Sequence, residues 1–215
     1  MRKWRVLLNY FWLLAWATSN CFAGTYEDLL QAVANNDRPV VIDLIRHGMD
    51  VDSVDREGNS LLMLAVRSGH SDLVKLLVEE RANLLHLNKY GDSALMLAAL
   101  RGNLEIANSL VSAGAEVNPQ GWTPLIYAAF EGHTNIAQLL LENGADIDAQ
   151  SPTGMTALMA VSRNAHVETA KALLIEEPDL DITDQTGKTA LDWAATSGNT
   201  LISDLLRQVI NAPNE

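Results

Sequence analysis

Three groups of residues have types and spacings that could do chemistry. Gly187-Lys188-Thr189 matches the end of a phosphate-binding loop. Such a loop needs a further glycine five positions before Gly187 so that its backbone can wrap the phosphates, and Ile182 stands there. The three residues are accounted for as a turn, an exposed variable position and a helix cap. His70, His133 and His166 could suggest a metal or acid-base role, but a zinc site needs a local second ligand, and the chain has neither a His-Glu-x-x-His motif nor a cysteine pair. At a turn between helices an imidazole can instead satisfy loop carbonyls. Asp50, Asp52, Asp55 and Glu57 offer carboxylate oxygens of the kind calcium takes, yet their spacing fails the usual calcium loop. Asp50-Val51-Asp52 recurs as Asp146-Ile147-Asp148, so the simpler reading is hairpin chemistry with solvated charges. No nucleophilic serine motif or activated cysteine is present, and hydrolysis has no evident place to occur. No catalytic, cofactor-binding or metal site is therefore expected, and the chain is not read as an enzyme.

The elements that carry these residues come from an internal repeat. Glycine recurs at Gly58, Gly91, Gly121, Gly154 and Gly187, with spacings of 33, 30, 33 and 33. A fixed period in this range marks a solenoid. Two positions after each glycine stands a hydroxyl residue (Ser60, Ser93, Thr123, Thr156, Thr189), and two further on a leucine (Leu62, Leu95, Leu125, Leu158, Leu191). In the fourth unit Thr123 reads as an N-cap and Pro124 as the first helical residue, where its missing amide costs nothing. Ala128-Ala129 lets a neighbouring unit approach closely, and Gly132-His133 breaks the helix. Ile136-Ala137 and Leu139-Leu140-Leu141 then supply a second helix, which Gly144 ends. Leu125 and Leu139 are expected in the core.

Gly-x-Thr-Pro-Leu, Ala-Ala, Gly-His, Leu-Leu-Leu and Gly-Ala-Asp-Ile-Asp, read in this order over residues 121–148, resemble the ankyrin-repeat family. The resemblance implies an all-α repeat solenoid of paired antiparallel helices with projecting β-hairpin loops. Leu29-Leu30, Ala32-Val33, Val40, Leu44-Ile45 and Gly48 add a degenerate first unit. Repeats are placed at 24–54, 55–87, 88–117, 118–150, 151–183 and, as a C-terminal cap, 184–210, with a fraying tail at 211–215. The last helix mixes Ser203, Asp204, Arg207 and Gln208 with apolar residues, which suits a cap. Where the family usually has histidine after Thr-Pro-Leu, this chain has Met63, Met96, Ile126, Met159 and Asp192, so a side-chain tie to the backbone is expected to be missing. Arg81 stands where a helix-ending glycine would, and Glu177-Pro178 replaces Gly-Ala. The short spacing before Gly121 implies a finger that has lost three residues around Pro119-Gln120, leaving a notch.

Composition agrees with a folded chain: of 215 residues, 48% are hydrophobic and 20% charged. Met1-Arg2-Lys3-Trp4-Arg5 is basic, Val6 to Ala17 is apolar except for Asn9, and Cys21-Phe22-Ala23 precedes Gly24. This is the order of a secretory signal peptide over residues 1–23, with cleavage expected after Ala23. The apolar run is about a dozen residues against the ~20 that span a membrane. Thr18 and Asn20 fit poorly with lipidation of Cys21. Cleavage would remove Arg2, Lys3 and Arg5 and no acid, taking the formal charge from -12 to -15, and would also remove the single cysteine. So acidic a chain does not suit nucleic acid or anionic lipid. The expected location is the periplasm of a two-membrane bacterium, with the extracellular space as the alternative.

In the resembled family the concave face binds proteins. That geometry puts Tyr90, Asp92, Trp122 and Met155 on the fingers, and Arg67, Leu100, Arg101, Phe130, Glu131 and Arg163 on the inner helices of that face. The implied function is a monomeric scaffold that inhibits, protects or organises a protein partner with an acidic patch. A secreted effector, or an accessory subunit of an enzyme, is the alternative.

Overall fold

The computed structural model describes residues 26–212, so the expected leader and residues 213–215 lie outside the described residues. The chain divides into two compact units, one up to Ala82 and one from Asn83 on. Among the described residues there are twelve helices and no strand. The first unit holds α1 (26–34), α2 (Arg38–Arg46), α3 (Leu61–Ser68) and α4 (Ser71–Glu79). The second holds α5 (Ala94–Arg101), α6 (Leu104–Ser112), α7 (Pro124–Glu131), α8 (Thr134–Glu142), α9 (Ala157–Asn164), α10 (Val167–Leu174), α11 (Ala190–Thr196) and α12 (Thr200–Ile210). The fold is that of an all-α repeat solenoid: inner helices α5, α7, α9 and α11 pack in series, and each packs on the outer helix that follows it.

Each inner helix from α3 onward starts on a hydroxyl. Ser60, Ser93, Thr123, Thr156 and Thr189 accept the amides of Met63, Met96, Ile126, Met159 and Asp192 at 3.2–3.3 Å. This satisfies one of the donors left open at a helix start, and Pro124 follows Thr123 as the sequence implies. The expected loss of the tie back to the cap is corrected at two positions. Met96 Sδ accepts the Ser93 amide at 3.2 Å, and Asp192 Oδ2 accepts the Thr189 amide at 2.9 Å, so a thioether and a carboxylate replace the imidazole.

The histidines join consecutive repeats. Nε2 of His70, His133 and His166 lies 3.2, 3.3 and 2.9 Å from the carbonyls of Ala34, Leu100 and Phe130, near the end of the preceding inner helix. Those carbonyls have no partner in their own helix, and the imidazole supplies one. The His133 and His166 rings lie directly on the glycines that end the inner helices of the preceding repeats. A Cβ on Gly102 would fall 2.5 Å from the His133 ring, and one on Gly132 would fall 2.4 Å from the His166 ring. Both glycines are also left-handed, at φ 72° and 77°. In the next repeat Ala165 takes the same left-handed turn at φ 65°, and there the histidine's place one repeat on is held by the smaller Asn199, whose amide donates to the Ser162 carbonyl at 2.6 Å. Arg81 and Glu177 likewise hold the turns where glycine is replaced, at φ 64° and 52°.

The fingers are tight turns rather than strand pairs; the single β-bridge among the described residues joins Val54 and Ser60. Four of them share one chemistry. Asp55, Asn88, Ser151 and Asp184 each accept, through a side-chain oxygen, the amides two and four residues on. Each residue's own amide also donates to the carbonyl four residues on, at 2.9–3.0 Å. The acids near Asp55 are therefore turn formers: Asp50 accepts the Asp52 amide at 2.9 Å in the same way. Between Asn118 and Gly121 only Pro119 and Gln120 remain, and this turn is absent. A second device links neighbouring fingers, since Asn118 accepts the Asp146 amide at 2.8 Å and Asp148 accepts the Asp179 amide at 3.0 Å.

The core follows the leucine and alanine positions. Leu125, Ala128 and Ala129 are buried, as is Leu140, but Leu139 is only half-buried, which corrects its placement in the core. The helical stripe runs through Ile136, Ala137 and Leu140, and Leu139 falls beside it. The cap helix α12 buries Ile202 and Leu206 yet leaves Leu201, Val209 and Ile210 exposed.

Candidate partner-binding surface

Within the second unit, finger and inner-helix positions present a mixed aromatic and charged surface. Tyr90, on the third finger, is 78% exposed. Trp122, just after the shortened finger, is half-buried, with its ring tilted against Tyr127 at a centroid distance of 5.6 Å. Tyr127 Oη donates to Asp92 Oδ1 at 2.7 Å. Burial, together with the bond to and charge of Asp92, pushes the Tyr127 phenol well above its ordinary pKa, so it stays a donor at any physiological pH. Asp92, Trp122 and Tyr127 thus form one connected group across two repeats.

The other anticipated residues divide. Arg101 and Glu131 are exposed at the ends of α5 and α7, and Leu100 and Phe130 beside them are half-buried, with their carbonyls taken by His133 and His166. Met155 is 7% exposed and sits in the frame of its finger rather than on the surface, because the Ser151 turn folds its backbone inward. Arg67 is exposed in the first unit. Arg163 is exposed, and its guanidinium carbon lies 5.2 Å from the centre of the Trp193 ring.

Trp193 was not among the anticipated residues, nor was Lys188, whose ammonium lies 4.5 Å from the same ring centre. The indole N–H donates to Asp184 Oδ2 at 2.9 Å. Burial would raise the Asp184 pKa, but hydrogen bonds from Thr186, the Lys188 amide and Trp193 outweigh it and hold the carboxyl below its ordinary value. A signal for this group existed. Trp193 stands two residues after Leu191, as Tyr127 stands two after Leu125, so both rings occupy one position of the repeat. Among the described residues no three metal-ligating side chains come together, and no helix is long and apolar enough to cross a membrane.

Stacked helix pairs with side chains displayed on finger turns are the architecture of a repeat protein. The chain belongs to the ankyrin-repeat family: it matches ankyrin repeats over residues 29–120 and 145–214, and a single ankyrin repeat over 120–152. It is similar to the nuclear factor NF-kappa-B p105 subunit of Rattus norvegicus, at 38% identity over 92 residues, which is 41% of this chain. The chain spans only about 10% of that relative's length. Ankyrin repeats are typically non-catalytic protein-interaction modules.

Proposed function

We propose that the protein is exported and holds a partner protein on the finger and inner-helix face of its repeats, engaging an acidic patch of that partner. One observation carries this reading: Tyr90, Trp122 and Phe130 stay at least partly exposed on finger and inner-helix positions of the unit that also holds Arg101 and Arg163, neither of which has a carboxylate within ion-pairing distance among the described residues. Exposed aromatics edged by arginine are the usual content of interface hot spots. In a chain with 27 acids and 15 bases, arginines left open on one face favour an acidic surface there, while the rest of the molecule repels it. The basic and apolar start of the chain supports export and cleavage ahead of Gly24, with the mature chain working as a monomer in the periplasm. Its role there is scaffolding, inhibition or protection of the partner.

The test is capture of the partner by crosslinking in the export compartment, compared with a Trp122→Ala, Phe130→Ala, Arg101→Glu triple variant whose helix content is unchanged. Each aromatic truncation is expected to weaken binding by about 2 kcal/mol, and the charge reversal to slow association in a salt-dependent way. Undiminished capture by the folded triple variant would move the interface elsewhere. N-terminal sequencing that finds Met1 on the cellular protein would remove the export reading, and recovery from the medium would favour an effector acting on another cell.

A further inference from the structure

We propose that Trp193, Arg163 and Lys188 form the docking point for an extended acidic segment of a protein, whose carboxylates pair with the guanidinium and the ammonium gathered at the indole. This deepens the partner-binding reading and rests on it. In the same unit Lys171 is paired with Glu168 at 2.7 Å and Arg207 with Asp204 at 3.4 Å, whereas Arg163 and Lys188, like Arg101, have no carboxylate within ion-pairing distance. Two cations from different repeats instead meet at one ring, at 5.2 and 4.5 Å from its centre. A cation held by an aromatic face keeps its N–H donors available, and a guanidinium offers a carboxylate a two-pronged fork.

The ring is itself fixed. Its N–H is bound to Asp184, and Asp184 is pinned by the Thr186 amide and hydroxyl at 2.8 and 2.7 Å and by the Lys188 amide at 3.1 Å. Lys188 thus belongs to the turn that orients the indole beneath it. Asp192 senses the charge of Lys188, but its Oδ2 is occupied by the amide and hydroxyl of Thr189 at 2.9 and 2.8 Å. The cations are pre-positioned, which reduces the ordering cost of binding. An acidic protein segment is favoured over nucleic acid because a phosphate backbone needs a track of bases, and two cations on a chain of net charge -12 do not supply one.

The indole N–H resonance of Trp193, assigned by its loss in a Trp193→Phe variant of the full chain, reports the site directly. The probe is a blocked pentapeptide alternating glutamate and leucine. It should shift this resonance in a salt-sensitive manner, while the same peptide with glutamine for glutamate should bind at least tenfold more weakly. An Arg163→Ala, Lys188→Ala variant should lose at least tenfold in affinity, and an Arg163→Lys variant should recover part of it. Equal binding by the glutamine peptide, or by the double alanine variant, overturns the proposal. So does an oligothymidylate that shifts the resonance as strongly as the glutamate peptide, since that would make the site a phosphate site. If the double alanine variant still captures the crosslinked partner but the Trp122, Phe130, Arg101 variant does not, this docking point is wrong and the broader reading stands.

Discussion

At the scale of single residues, the repeat shows which side chains are fitted to their place and which are not. Ser162 is fully buried on α9, and its hydroxyl has no hydrogen-bond partner. The same place holds Val66, Ala99, Ala129 and Ala195 in other repeats, all apolar. A sealed hydroxyl without a partner costs free energy, so Ser162→Ala should raise stability by up to about 1 kcal/mol, read as a higher urea midpoint at unchanged slope. A lower midpoint would mean that the hydroxyl does bind something. The leucines make the complementary case: Leu140→Ala should cost about 2–5 kcal/mol, as buried truncations do, and half-buried Leu139→Ala clearly less. Equal losses would place both side chains in the core.

At the scale of the element, the joint between repeats is a matched pair. The glycine that ends one inner helix and the histidine that opens the outer helix of the following repeat compete for the same space, and Ala165 with Asn199 is a second solution to that constraint. Gly132→Ala should therefore destabilise through both its left-handed backbone and the His166 ring, by at least the roughly 1–2 kcal/mol of the backbone alone. Adding His166→Asn, which reproduces the Ala165–Asn199 pairing, should recover part of that loss, giving a coupling of about 0.5 kcal/mol or more in a double-mutant cycle. Strict additivity would show that the two residues do not share the space. The finger turns should make the chain acid-sensitive. Asp55 and Asp184 have their pKa values lowered on balance because amide and side-chain donors outweigh burial, and Asp192 because of the Thr189 amide and hydroxyl. A depressed folded-state pKa adds stability that is fully present above the unfolded carboxylate value near 3.8 and is lost as pH falls through the still lower folded values. Unfolding titrations at pH 7 and near pH 3 should show the drop, and Asp184→Asn, which cannot titrate, should show a smaller one.

At the scale of the whole molecule, charge sets how a partner approaches. The chain carries -12 overall but gathers unpaired arginine and lysine at α9 and at the turn before α11. At very low salt, with a Debye length of about 30 Å, an acidic peptide should feel mainly the net repulsion. Near physiological salt, at about 8 Å, that repulsion is screened and the local cations remain effective, whereas near 1 M, at about 3 Å, they too are weakened. Affinity for the glutamate-leucine peptide should consequently peak at intermediate ionic strength. A steady rise toward the lowest salt would show that local attraction outweighs the molecule's own charge at every distance.

The sequence by itself determined the fold, because what fixes it is local and periodic. A hydroxyl before each inner helix from α3 onward, leucine and alanine at helical spacing and a glycine after most helices specify the elements whatever surrounds them, and their recurrence specifies the stacking. The missing three residues around Pro119-Gln120 were legible for the same reason. Tertiary structure alone decided what reaches across repeats. Arg81, Ala165 and Glu177 hold left-handed turns without glycine, Met96 and Asp192 bind back to their caps, and Met155 folds into its finger. Pairs more than thirty residues apart in sequence, such as Tyr127 with Asp92, or nearly so, such as Arg163 with Trp193, depend on the height and rotation of one repeat on the next. The repeat pattern fixes which position a residue occupies, but only packing settles which neighbour its side chain finds there.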